Sequence, residues 1–326
     1  MQRVHWPVLT IALLTSLAVA IPVLASQGAG NAAAHPTHKP KPTATPRPSA
    51  TPAPSPSVSA SQPPLPAFGH VFVIVMENEE SSAIIGNSSA PYINSLASQY
   101  GLATNDTAVS HPSEPNYLAL WSGSTQGVTD DGVYNFAGGT TLGDQIEASG
   151  RSWHVAAENV PISSCYAGAT ASGGEDGTGT YARKHEPAIS WTSVSANATR
   201  CARITDFSHF DPTLGQYWFI APNLCHDMHD CSIATGDAWL QGWLPRILTS
   251  PAFADSVVFL TWDEGTTTTG GGGKVATIVI SPLAKSGFSS ATAHTHYSLV
   301  HTIQLAWGLP CLANTCAAND LREFFR

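Results

Sequence analysis

Three apolar runs in this chain each end in side chains that hold cations or move protons. His70-Val-Phe-Val-Ile-Val-Met76 leads into Glu77-Asn78. Tyr217-Trp-Phe-Ile-Ala221 leads into Pro222-Asn223-Leu-Cys225-His226-Asp227-Met-His229-Asp230-Cys231. Ser256-Val-Val-Phe-Leu-Thr-Trp262 leads into Asp263-Glu264-Gly265. Nearly continuous apolar runs of this length read as strands buried on both faces. Trp153–Ala157 and Val275–Ile280 read as two more. Helical patterns lie between them: Tyr92, Ile93, Leu96, Ala97 and Tyr100 closed by Gly101; Leu142 to Ser149 stopped by Gly150; Trp239 to Leu248; and Leu299, Val300, Ile303 and Trp307. Residues from about 160 to 212 are rich in loop formers. Strands alternating with helices predict an α/β fold, a three-layer sandwich whose mostly parallel central sheet carries helices on both faces. The carboxyl ends of parallel strands share one edge, where ligands bind. The acids, amides and imidazoles after these strands therefore converge.

A serine joins them from another direction. In His111-Pro-Ser113-Glu114-Pro115-Asn-Tyr-Leu-Ala-Leu120, the proline and the apolar run mark a helix start, with Ser113 where an N-cap would sit. Free N–H groups and the positive end of the helix dipole make such a place a good anion site. Alone, each piece is ordinary: Ser113 a cap, Glu77-Asn78 and Asp263-Glu264-Gly265 turns, the histidines loop decoration. Their joint placement is what points to chemistry. Other chemistries fit less well. Cys225 and Cys231 lack zinc-knuckle spacing. Thr266 to Lys274 is rich in Thr and Gly but lacks the spacing of a phosphate loop. No Gly-x-Ser-x-Gly elbow supports a Ser-His-Asp hydrolase.

The formal charge of −9, without a long basic run, argues against nucleic acid as a partner. An acidic chain that handles phosphate needs a local source of positive charge, such as a metal ion. Arg3 and the apolar stretch from about Trp6 to Ala25 predict an export signal over residues 1–25, with an uncleaved N-terminal anchor as the alternative. Residues 26–66, dominated by Ala, Pro, Thr and Ser, predict a disordered spacer that would hold the folded part near a membrane or cell wall. Residues 67–326 are left as the folded domain. Six cysteines in an exported chain predict three disulfides. Short loops favour Cys225–Cys231 and Cys311–Cys316, leaving Cys165–Cys201.

Taken together, the motifs resemble the phosphoesterase family of secreted acid phosphatases and bacterial phospholipases C. The resemblance rests on His70 to Asn78, Ala90-Pro-Tyr-Ile-Asn-Ser-Leu-Ala97, His111 to Ala119, Ser122-Gly-Ser-Thr-Gln-Gly127, Pro222 to Asp230, Trp262-Asp-Glu-Gly265 and His296 to Ile303. It implies an alkaline-phosphatase-like sandwich with Ser113 as nucleophile. It implies that Glu77, Asn78, Asp263 and Glu264, with Ser113, hold a divalent cation (Ca, Mg, Mn or Zn). It places His111, His226, His229 and His296 along the phosphate pocket, with His229 or His226 as the acid. The expected activity is hydrolysis of phosphate monoesters through a phosphoserine, on a phosphorylated small molecule or a lipid head group. Two alternatives stay open: a phosphodiesterase of phospholipase C type, and a non-catalytic cell-surface binding protein. Sequence does not set the oligomeric state.

Overall fold

The computed structural model describes residues 64–161, 165–172 and 179–326. The expected signal of residues 1–25, and the expected spacer up to residue 63, lie outside the described residues. The strands in chain order are β1 (His70–Met76), β2 (Gly101–Thr107), β3 (Trp153–Ala157), β4 (Thr170–Ser172), β5 (Thr180–Ala182), β6 (Ile204–Thr205), β7 (Tyr217–Ala221), β8 (Ser256–Trp262), β9 (Lys274–Ile280), β10 (Ser289–Ser290) and β11 (His294–Thr295). One sheet has the order β10-β2-β9-β8-β1-β7-β3-β6, with β11 also on β2; β4 and β5 form a separate ribbon. In the large sheet β9 runs antiparallel to both β2 and β8, while every other pairing is parallel.

Side chains alternate across a strand, so each apolar run feeds two cores. Val71, Val73 and Val75 of β1 join Tyr117, Trp121, Ile146, Leu299 and Ile303 on one side. Phe72, Ile74 and Met76 join Ile93, Leu96, Leu240 and Leu244 on the other. Helices Ser113–Ser122, Leu142–Ala148 and His296–Trp307 thus cover one face, and Pro91–Gln99 and Ile233–Trp243 the other. This is the three-layer α/β sandwich expected from sequence.

Four details differ from expectation. Periodicity carries no strand direction, and Val275–Ile280 lies in the antiparallel β9. The apolar residues from Trp239 to Leu248 belong to two helices, Ile233–Trp243 and Pro245–Leu248, because Pro245 has no N–H to continue the first. The loop-rich region holds β4, β5 and β6. Ser113 stands at the first helical position, with Pro112 at the N-cap and no side-chain capping bond. Its hydroxyl is therefore not spent on the helix. The three disulfides pair as expected. Among the described residues no helix is long and apolar enough to cross a membrane.

Candidate active site

Glu77 and Asp263 come together because β1 and β8 are neighbours in register, Met76 opposite Trp262. Backbone bonds continue past the strand ends. Asp263 N–H donates to the Met76 carbonyl at 2.8 Å, and Glu77 N–H to the Asp227 carbonyl at 2.9 Å. Asn78, with φ of 59°, turns its N–H onto Asp263 Oδ1 at 3.1 Å; asparagine tolerates that left-handed conformation better than most residues. The Ser113–Ser122 helix then points its first turn at this corner. Ser113 Oγ donates to Glu77 Oε2 at 3.1 Å, and Tyr117 Oη donates to Glu77 Oε1 at 2.6 Å. Residues four apart share a helix face, so one helix grips both oxygens of one carboxylate. Asn116 fastens the approach: its Oδ1 accepts from Val109 and Ser110 N–H at 3.0 and 3.1 Å, and its Nδ2 donates to the Ser110 carbonyl at 2.9 Å. Gly123 ends the helix in the left-handed region, at φ 71°.

The corner is unusually rich in buried acid. Glu77, Asp227 and Asp263 have no solvent-exposed surface. His185 lies between two of them, 3.1 Å from Glu77 and 3.3 Å from Asp227, with its ring stacked on Tyr117 at 4.9 Å. Burial, then the charges of Asp263 and Asp227, push the Glu77 pKa well above the usual carboxylate range. Burial does the same to Asp227, against the His229 N–H bond that pulls it down. Burial and the Glu264 charge raise Asp263 to about 7. Burial drives His185 well below its ordinary value, helped by Lys184 and His229. Burial also raises Glu264, against the pull of His111.

Asp263 Oδ2 and Asp227 Oδ2 are buried without a hydrogen-bond partner. Mutually repelling carboxylates with unmatched oxygens fit a hard divalent cation, for which oxygen ligands are the preferred set. Even so, among the described residues no three His, Cys, Asp or Glu side chains stand at metal-ligating spacing.

Of the expected site residues, Ser113, Glu77 and Asp263 meet, and Asn78 meets them through its backbone. Glu264 is held by His111, whose Nδ1 lies 2.7 Å from Glu264 Oε2 and whose Nε2 lies 2.8 Å from the Thr267 carbonyl. Burial lowers the His111 pKa, but these two acceptors outweigh it and the net direction is up. His296 is buried beneath, with Nε2 against the Asp263 carbonyl. His229 borders the acids: its ring is 6.0 Å from that of His185, its Nδ1 is 2.7 Å from Asp230, and its Nε2 is 3.5 Å from Lys184 Nζ. His226 faces other partners, pairing with Glu158 at 2.9 Å and stacking on Trp239 at 5.7 Å.

Six more residues belong to this surround. Tyr117 was signalled by its spacing from Ser113, Asp227 by its loop, and Glu158 by following β3. Lys184 and His185 sit in the loop-rich stretch, where only the run Arg-Lys-His-Glu marked them. Asp131 carried no sequence signal.

The sequence relatives of this chain define it as a phosphate-ester hydrolase, built on an α/β sandwich. The sequence matches the phosphoesterase family over residues 86–310. It is similar to a phosphatidylinositol-3-phosphatase of Mycobacterium tuberculosis, 34% identical over 78% of this chain and 82% of that protein. It is also similar to an acid phosphatase of Aspergillus fumigatus, 32% identical over 78% of this chain. A phosphate-repressible acid phosphatase of Penicillium chrysogenum is 33% identical over the same share. The chain spans 58% and 63% of the length of these two fungal relatives. Among solved structures, a lipoteichoic acid synthase from Listeria monocytogenes shares the fold with a TM-score of 0.54 at 10% identity, over 78% of each chain. A phosphonate monoester hydrolase from Silicibacter pomeroyi shares it with a TM-score of 0.51 at 11% identity, over 79% of this chain and 76% of that one. The chain belongs to the phosphoesterase family.

Proposed function

We propose that this chain is a secreted, metal-dependent phosphatase that hydrolyses phosphate monoesters through a phosphoserine on Ser113. One observation carries this: a buried serine hydroxyl, at a helix start, donates to one of several buried, mutually repelling carboxylates. The names of the curated relatives, acid phosphatases and a phosphatidylinositol-3-phosphatase, support a monoester substrate, either a phosphorylated small molecule or a lipid head group.

Glu77, Asn78, Asp263, Glu264 and Ser113 are the residues that would hold a divalent cation, Ca, Mg, Mn or Zn, with Asp227 close by. A bound cation supplies charge neutralisation on the phosphoryl oxygens and makes the serine hydroxyl easier to ionise. The chain does the rest. The start of the Ser113–Ser122 helix puts the positive end of its dipole at Ser113, which favours an incoming anion. Ser113 Oγ passes its proton to Glu77 as its bond to phosphorus forms and the bond to the leaving oxygen breaks. His229, oriented by Asp230, gives that oxygen its proton. Water then cleaves the phosphoserine: the same imidazole takes the water's proton, and Glu77 returns a proton to the departing Ser113 Oγ. His111 and His296 set Glu264 and Asp263 in place.

Residues 1–25 would direct export, 26–66 would act as a spacer near a membrane or cell wall, and 67–326 would carry the activity outside the cell. The three disulfides agree with that compartment.

Ser113→Ala is expected to lower kcat on p-nitrophenyl phosphate by on the order of a thousandfold or more, with far-UV circular dichroism unchanged. A folded Ser113→Ala protein that turns over at close to the wild-type rate would remove Ser113 from the chemistry.

A further inference from the structure

Lys184 belongs to the short turn Arg183–His185 after β5, and the turn sends its three side chains three ways. Arg183 turns away to the carbonyls of Ala167 and Tyr134, at 2.8 and 2.6 Å. His185 is sealed between Glu77 and Asp227. Lys184 goes to the opening. Its Nζ is 2.8 Å from Asp131 Oδ2 and 3.5 Å from His229 Nε2. Asp131 Oδ1 in turn accepts the N–H of Glu114, the residue after Ser113, at 3.0 Å. The ammonium is thus strung between the first turn of the Ser113 helix and the imidazole assigned to the leaving group.

We propose that Lys184 is a specificity-determining residue, whose ammonium receives the third terminal oxygen of a phosphate monoester and so sets a preference for monoesters over diesters. The inference rests on the phosphatase reading of Ser113. An ammonium has three N–H donors; Asp131 takes one, and His229 Nε2, which carries the proton for the leaving oxygen, takes none, so two remain for a ligand. The Lys184 and Asp131 side chains are 20% and 30% exposed, so the pair can be reached from solvent while the acids behind it cannot. An exposed pair of this kind is weakly held and easily shared with a stronger anion. The Lys184 charge also reaches inward, opposing the upward shifts of Glu77, Asp227 and Glu264. A monoester dianion spreads two charges over three terminal oxygens. A diester has one charge on two, and an organic group where the third oxygen would be. A fixed cation at that position therefore favours the monoester.

The test compares wild type, Lys184→Met and Lys184→Arg in the full chain, at about pH 7, where a monoester is mainly dianionic. kcat/KM is measured on p-nitrophenyl phosphate and on p-nitrophenyl phosphorylcholine, with inorganic phosphate as inhibitor. In Lys184→Met the monoester-to-diester ratio is expected to fall about ten- to hundredfold, the worth of one charge-assisted hydrogen bond. Phosphate inhibition should weaken by a similar factor, and Lys184→Arg should recover part of both. Equal losses on the two esters would mean a structural role and would overturn the assignment, as would an unchanged ratio. Wild-type protein inactive on both esters would sink the Ser113 reading and this inference together; active wild type with an unmoved ratio in Lys184→Met would sink this inference alone. If Lys184→Met does not fold, Lys184→Gln is read in the same way.

Discussion

Glu77 accepts a serine hydroxyl on one oxygen and a tyrosine hydroxyl on the other, lies 3.1 Å from His185 Nε2, and has no access to water. A carboxylate so placed beside Asp227 and Asp263 prefers to be neutral unless a cation answers it. This gives the site a pH signature. Asp263 has an ordinary pKa of 3.8 and is raised to about 7 in the fold, and Glu77 and Asp227 move in the same direction. A carboxyl group with a raised folded pKa stabilises the fold below its unfolded pKa, and that contribution is lost as pH rises through the folded value. Cation-free protein should therefore lose melting temperature between about pH 4 and about pH 8. A bound divalent ion, which needs the ionised acids, should restore it increasingly over the same range. Calorimetric scans of chelated and cation-loaded protein across this range check the claim; a gap between them that does not widen with pH contradicts it. Ser113, Glu77 and Asp263 were legible in the sequence because each begins or follows a strongly patterned element. His185 and Lys184 were not, since a short turn in a loop-rich stretch has no periodicity to announce which way it points.

At the scale of elements, much of what holds the site comes from partners distant in sequence. The Pro91–Gln99 helix begins at Ala90, which has no capping side chain. Its first N–H groups are satisfied by Asp237 of the Ile233–Trp243 helix, at 2.8 Å from Ile93 N and 3.2 Å from Tyr92 N. Asp237→Ala should cost about 1–2 kcal/mol of stability, the worth of an N-cap, in urea unfolding, and should leave kcat/KM as it was. No loss of stability would show that solvent replaces the cap. Nothing in the local sequence announces this cap, because the helix N-terminus and its acceptor are more than 140 residues apart. The Thr266–Gly273 loop is comparable. It is rich in Thr and Gly, and in the fold Glu80 fastens its ends, accepting from Thr266, Thr267 and Lys274 N–H at 2.9, 3.2 and 3.0 Å. Gly273, at φ 88° and with its missing Cβ directed onto Gly265 Cα at 2.8 Å, is where only glycine fits. The strands themselves were legible as buried apolar runs; the antiparallel course of β9 was not, because a strand covered on both faces looks the same in either direction.

At the scale of the whole molecule, the sheet acts as a bracket. Parallel β1, β7 and β8 lie side by side, so acids and imidazoles from three distant parts of the chain reach one edge, and the Ser113–Ser122 helix lays its first turn across it. The architecture followed from the alternation of strands and helices, and the edge from the direction of the strands. The central claim is that this edge transfers a phosphoryl group to Ser113 and then to water. Its most direct test is the stereochemical course of hydrolysis at a phosphorus made chiral by isotopes of oxygen and sulfur. Two in-line displacements, onto Ser113 and then onto water, predict overall retention of configuration. Inversion would mean that water attacks the ester in a single step, and would contradict the phosphoserine account.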